Sequence, residues 1–590
     1  MVRAGVFIGV DRSGDLQQLQ DAAAGAKAMY EWALAQGMPD KTHAKLITDS
    51  GGRKVQPDQI AEAIQDICQG AGVDQLVVYF AGHGINIRGD RWLLTEAPAK
   101  TYAAVNVLGS VELARMCGIP HVVFIADACR VAAADIQQAN IDGIDIFPNT
   151  PGGDRSRPID QFFACYLGRT AAEVKTSDER ANYSALYTGA LTDALRGARP
   201  ELLQPGGSGD AAQYIKPWPL HDYLVAEIPR RVKTLKLEKK VNQNPDSIIT
   251  SRDGWVARIE QPPGATRTGG GGPPPPPPPP APPAPPNLRS VSRAVTASAT
   301  EGKRGDMVRA LEAAVEGGVP GAAQLARTWQ HVAEPFGPPH FETACGIKVR
   351  GARIIHVVAP LASTELLGGG GDLLRIDQVN GPGASVLLRF DNRTACVVPA
   401  IQGFLAALTF DGDDLVDVAY EPSDNTWRWD IYKDRADQVR ALRAAAAAAS
   451  RHGRFRLDEK DADRVGRQMQ YAKGIDPALA VYAAYAYHDL QLVDRIREMS
   501  DYLRGDVGVT LFDLELLSGR LHGRSIRRDE PVVPFVPMLA QGWSLLRAHR
   551  VTLPPALDGI DQGLRDSLWT QFDFRASEKL EGAMRSGEVR

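Results

Sequence analysis

Cysteine is scarce: six thiols, at 68, 117, 129, 165, 345 and 396, are spread over 590 residues, and none forms a C-x-x-C pair. A disulfide framework or a zinc cage is thereby disfavoured, and a reducing cytoplasm, where a lone thiol can stay nucleophilic, is the expected setting. Long apolar runs are missing too. The most apolar segments, 76-LVVYFAG-82 and 121-HVVFIA-126, are strand-sized and far short of the roughly 20 residues a membrane helix needs. The opening MVRAGVFIGVDRSGD has no extended apolar region followed by a small-residue cleavage site, which argues against export by a standard signal. Nor is there an excess of charge of one sign, since 67 basic and 71 acidic residues leave a formal net charge of −4. Neither nucleic acid nor membrane is an expected partner. The one basic stretch, 229-PRRVKTLKLEKK-240, lacks interleaved aromatics and reads as the solvated face of a helix.

What is present is length, more than one hydrophobic core usually organises, and a segment that cannot join any core. Residues 261–287 read QPPGATRTGGGGPPPPPPPPAPPAPPN, with no apolar periodicity to bury. The glycines make a swivel and the prolines an extended polyproline II spacer. The chain is therefore expected to divide into residues 1–260, a linker over 261–302, a short helical segment plus β-rich domain over 303–432, and an α-helical domain over 433–590.

Before the linker, β-rich runs (5-GVFIGVD-11, 44-AKLITD-49, 75-QLVVYFAGHG-84, 121-HVVFIADACR-130 and 161-QFFACYLG-168) alternate with amphipathic stretches at 16–37, 57–70 and 110–118. This rhythm predicts an α/β fold: a mainly parallel sheet with helices on both faces. In such sheets reactive groups gather at the carboxyl ends of strands. Two residues stand at such ends. His83 follows an apolar run and lies between Gly82 and Gly84, and Cys129 follows HVVFIADA in the same way. An imidazole that takes the proton of a thiol and later protonates a leaving amine is the standard partner of a nucleophilic cysteine.

The order and spacing of AGHG at 81–84 and DACR at 127–130 resemble the caspase, metacaspase and paracaspase clan, over about residues 3–260. The segments 182-NYSALYTGALTDAL-195 and 243-QNPDS-247 are similar to clan elements further along. The resemblance implies a cysteine endopeptidase with His83 as general base and Cys129 as nucleophile. Backbone amides of Gly84 and Cys129 would form the oxyanion hole. Asp127, two residues before Cys129 in a strand, shares its side of the sheet and would line the primary specificity pocket. A carboxylate there suits Arg or Lys at P1 and opposes the acidic P1 of animal caspases. The second pocket acid of many metacaspases is not matched, because 19-LQDAAAG-25 places Asp at 21 and Gly at 25. Asp21 and Glu173 are the substitutes considered.

Residues 131–181 form a long acidic, Gly- and Pro-containing excursion in which Arg155, Arg157 and Arg180 are candidate self-cleavage sites. Its acids lack an EF-hand spacing, so calcium dependence is unsupported and no cofactor or metal is expected. His331, His340, His488 and His522 stand at no metal or triad spacing and read as structural. The C-terminal half is expected to sense an upstream activator, recruit protein substrates or restrain the protease. For bacterial caspase-like proteins that architecture implies defence, including antiviral defence, or regulated cell death. The alternative is a non-catalytic caspase-fold scaffold that binds protein partners through residues 303–590.

Overall fold

The computed structural model describes residues 1–70, 72–87, 89–130, 138, 140–149, 157–165, 177–206, 210, 212–234, 245–251, 253–260, 309, 312–313, 316, 326, 344–367, 369–379, 383–450, 466–467, 469–470, 472–565 and 567–590. The proline-rich segment lies outside them. The chain divides into two compact units, Met1–Pro285 and Pro286–Arg590.

In chain order the first unit contains β1 (Val2–Gly9), α1 (Ala22–Ala35), β2 (Ala44–Thr48), α2 (Pro57–Gln69), β3 (Val73–Gly82), β4 (Gly84–Asn86), β5 (Asp90–Leu93), β6 (Ala104–Asn106), α3 (Val107–Ala114), β7 (His121–Ala128), β8 (Ile159–Phe163), α4 (Ser177–Leu195), β9 (Leu203–Pro205), β10 (Gln213–Ile215), α5 (Pro217–Thr234), β11 (Asp246–Ile248) and β12 (Ala257–Ile259). Six strands make the main sheet, in the order β11-β8-β7-β3-β1-β2. All its pairs are parallel except β11 with β8. Alternate residues of the central strands (Phe7, Val77, Tyr79, Val123, Ile125) join Trp32 of α1, Leu191 of α4 and Leu224 and Ile228 of α5 in one buried core. Each such side chain contributes about 1.5–3 kcal/mol on leaving water. On α2, Ile60, Ile64 and Ile67 are buried outside that core, and the helix packs on β1, which leaves it the opposite face.

The α/β expectation is met, with one difference that matters for the site. The amphipathic pattern begins at residue 16, yet α1 starts at Ala22. The reason is Asp11, just past β1. Its Oδ1 accepts from the amides of Ala22 (2.9 Å) and Ala23 (3.1 Å), satisfying first-turn donors that have no partner within a helix. Its carbonyl accepts from Leu19 N at 2.7 Å. Residues 12–21 are thus a loop pinned at both ends.

The second unit holds β13 (Gly346–Arg350), β14 (Ile354–Val358), β15 (Ala362–Leu367), β16 (Leu373–Val379), β17 (Ala384–Phe390), β18 (Thr394–Ala400), β19 (Phe404–Asp411), β20 (Asp414–Pro422), α6 (Trp427–Lys433), α7 (Ala436–Ser450), α8 (Ala478–Asp489), α9 (Val493–Tyr502), α10 (Phe512–Leu517), α11 (Trp543–Leu546), β21 (Phe572–Asp573) and α12 (Phe574–Ser586). Two sheets form, β15-β16-β13-β19-β20 and β14-β17-β18-β21, and Phe390 of one meets Phe410 of the other edge-on at 4.7 Å.

The division expected at 432/433 is not where the chain divides. β21, from the helical stretch, pairs with β18, and α12 packs on β17 and β18. A buried ion cluster fastens the same two parts. Arg443 on α7 donates to Asp417 on β20 (3.0 Å) and to Asp476 (2.8 Å). Composition changes along the chain at 433, but the hydrophobic faces on either side need each other for cover.

Candidate active site

β3 and β7 are neighbours, paired in register so that Gly82 lies opposite Ala128. The next residue on each strand is His83 and Cys129. Two parallel strands in register, about 4.8 Å apart, therefore bring His83 and Cys129 to neighbouring positions at one rim. His83 is buried and Cys129 half-buried.

The glycines around His83 have a steric cause. A Cβ on Gly84 would collide with the carbonyl oxygen of Cys129 and lie 3.1 Å from the Cβ of Ala128. Only glycine lets the chain after His83 pass this close to Cys129. His83 is also held from a third side, because its Nε2 lies 2.7 Å from the carbonyl oxygen of Gln17. That oxygen can only accept, so Nε2 carries the proton and donates it, and Nδ1 is the basic nitrogen of the neutral ring. Gln17 belongs to the loop pinned by Asp11. A backbone carbonyl gives no side-chain signal, and sequence reading missed it.

Arg130, the last residue of the DACR segment, is buried. Its guanidinium bonds Asp90 of β5 at 2.7 Å, reaches Asp246 of β11 at 3.6 Å and covers the ring of Phe163 at 3.9 Å. The turn that carries Cys129 is thereby clamped to the small sheet β4-β5-β6 on one side and to the edge of the main sheet on the other. The thiol of Cys165, 3.4 Å from the carbonyl of Ala128, donates to the same turn.

Asp127 leaves β7 on the side of α1 and α4. It is 1% exposed and accepts a hydrogen bond from Thr188 of α4. Thr188 in turn lies 2.6 Å from the hydroxyl of Tyr79. Burial, and then the charge of Asp127, push the phenols of Tyr79 and Tyr187 well above their ordinary range. Tyr79 therefore stays protonated and donates to Thr188, which donates to Asp127. From α1 the residue facing this cluster is Gly25, whose added Cβ would lie 3.0 Å from the Tyr79 hydroxyl. Asp21 stands one turn earlier, at the start of α1, where its charge acts on Asp11. Glu173 and Arg155 lie outside the described residues. Arg157 is half-buried just before β8, and Arg180 falls within α4, whose backbone would have to unwind to enter a protease cleft.

Residues 6–205 match the family model of the caspase domain, peptidase family C14. This part of the chain is a caspase domain. The match spans about a third of the 590 residues and includes both rim residues, the DACR segment and α4. No curated protein matches the chain. Among solved structures, that of protein GSU0716 from Geobacter sulfurreducens aligns with 44% of this chain and 95% of its own. Its identity is 13% and its TM-score 0.25, too slight a likeness to bear on the fold. The caspase domain belongs to a family of cysteine peptidases, which makes protein the expected class of substrate. Among the described residues no helix is long and apolar enough to cross a membrane.

Proposed function

We propose that this protein is a cysteine endopeptidase acting through a Cys129–His83 dyad. The observation that carries the reading is the paired exit of the two residues from in-register strands, with His83 oriented by the Gln17 carbonyl. Nδ1 of His83 takes the thiol proton, the thiolate attacks the scissile carbonyl carbon, and the imidazolium protonates the leaving amine. The acyl-enzyme is then hydrolysed by water. Amides of Gly84 and Cys129 stabilise the oxyanion, one such donor being worth about 3 kcal/mol.

Asp127 is the specificity residue of this proposal. A carboxylate two residues before the nucleophile, on the same side of the sheet, favours a guanidinium or ammonium at P1. The Thr188 hydroxyl supplies a partner for the carboxylate while the pocket is empty. Residues 286–590 serve as a regulatory half that restrains or directs the peptidase in the cytoplasm, in a defence or cell-death setting. The test uses fluorogenic peptides that differ only at P1, with wild type, Cys129→Ala and Asp127→Asn. Turnover of the Arg peptide is expected from wild type alone among the first two. Asp127→Asn should lower kcat/KM for that peptide roughly thirtyfold, about 2 kcal/mol. Equal or better turnover with Asp at P1 refutes the specificity, and turnover by Cys129→Ala refutes the dyad.

A further inference from the structure

The end of the main sheet opposite the rim, where its parallel strands begin, brings together two thiols that the chemistry of His83 and Cys129 does not use. Cys68 stands in the last turn of α2 and Cys117 just after α3. The strands that follow them, β3 and β7, are parallel neighbours with Gln75 opposite His121, so the connections out of the two helices reach the sheet side by side. The side chains of Cys68 and Cys117 meet there and share a hydrogen bond. Both thiols are free, Cys117 buried at 8% exposure and Cys68 half-buried.

A cysteine that only fills space needs no second sulfur against it. These two are, moreover, unequal. Cys117 also receives the backbone amide of Ile119 and faces the positive charge of Arg157. With Cys68 donating to it, the Cys117 thiol is held below its ordinary range, while the same bond and burial push Cys68 up. A sulfur that gives up its proton readily, beside one that keeps it, is the arrangement in which the first attacks an oxidant and the second resolves the product.

We propose that Cys68 and Cys117 are a modification site, closing into a reversible disulfide when the protein meets a peroxide. The Cys117 thiolate attacks one oxygen of hydrogen peroxide and the O–O bond breaks. Cys117 becomes a sulfenic acid, and the other oxygen leaves as hydroxide, which takes up the proton Cys117 had released. The sulfur of Cys68 then attacks that of Cys117, an S–S bond forms, and the hydroxyl departs with the Cys68 proton as water. Two electrons have passed from the thiols to the peroxide, and exchange with a small thiol restores the pair. A reducing cytoplasm admits such a bond, because the disulfides that form there are transient. The cross-link closes a covalent loop around β3, His83 and the small sheet β4-β5-β6. It lies at the end of the sheet away from Cys129 and does not depend on the peptidase reading.

The experiment uses the full chain carrying Cys129→Ala, because Cys117 and Cys129 share the tryptic peptide between Arg115 and Arg130. After treatment with hydrogen peroxide, remaining thiols are alkylated with iodoacetamide in denaturant and the tryptic peptides are weighed. A linked Cys68–Cys117 pair is expected, which dithiothreitol returns to two alkylatable cysteines. Dimedone, which traps sulfenic acid, should label Cys117 in a Cys68→Ser variant at least roughly tenfold more than it labels Cys68 in Cys117→Ser. The linked pair is read in the chain that keeps both cysteines, so the decision does not hang on either variant folding. Both cysteines still alkylated after peroxide, or a linked pair that dithiothreitol does not open, overturns the proposal, and preferential labelling of Cys68 overturns the order of attack.

Discussion

Replacing Gly84 by alanine adds one methyl group at the point where the chain after His83 passes over Cys129. That carbon has nowhere to go. It meets the carbonyl oxygen of Cys129 head-on, with the Cβ of Ala128 at 3.1 Å and the carbonyl oxygen of Arg91 at 3.5 Å closing the ways around it. Gly84 itself cannot retreat, because it is held in β4 opposite Trp92 of β5. Displacement therefore falls on the Cys129 turn, by roughly 1 Å, a misplacement that typically costs about 10²-fold in rate. In barrier height that is about 2.7 kcal/mol, while the overpacking itself should take only about 1–3 kcal/mol from stability. The assay pairs kcat/KM on a peptide with Arg at P1 with the rate of Cys129 alkylation by iodoacetamide, which needs no substrate recognition. Both should fall in Gly84→Ala while the Tm drops by only a few degrees. A variant with wild-type alkylation and kcat/KM within about threefold of wild type would refute the view that this contact positions the nucleophile.

Two further outcomes follow from the buried charges. Arg130→Met takes away the cation that Asp90 and Asp246 share. It should cost about 3–5 kcal/mol, the usual toll of breaking a buried ion pair, read as a lower denaturant midpoint with loss of peptidase activity. In the C-terminal unit, burial pushes the carboxyl of Asp417 up to about 7, with Arg443 opposing the shift and Asp476 adding to it. A folded-state pKa above the unfolded value means that Asp417 contributes stability while protonated and loses it as pH rises towards 7. Wild type should therefore lose stability relative to Asp417→Asn between about pH 4 and pH 7 in denaturant titrations. A difference independent of pH would show that Asp417 does not titrate in this range.

Much of the rim was legible because its signals are local. A strand that ends in Gly-His-Gly, and another that ends in Asp-x-Cys-Arg, can each be read from a dozen residues. What stayed hidden depends on contacts between segments far apart. The Gln17 carbonyl that orients His83 is backbone, and it is placed by Asp11, a residue whose capping of α1 the helical period did not foretell. Arg130 looked like the tail of a motif, and its role shows only once β5 and β11 flank it. Gly25 marks the same limit from the other side: its place against Tyr79 and Thr188 explains why no acid stands there, whereas spacing alone directed attention to Asp21. The boundary at 433 failed for a similar reason, since a two-residue strand at 572–573 has too little sequence to announce its pairing.

That short strand bears on when the protein is born as two units rather than one. β18 pairs with residues made well over a hundred positions after it, so the sandwich of the C-terminal unit stays incomplete until they too have emerged. Translation at roughly 5–20 residues per second leaves a gap of about 15–60 s between release of the caspase-like segment and completion of its companion. During that interval the nascent caspase-like domain has its rim residues but no finished C-terminal half. Any restraint from that half arrives after the domain it would restrain.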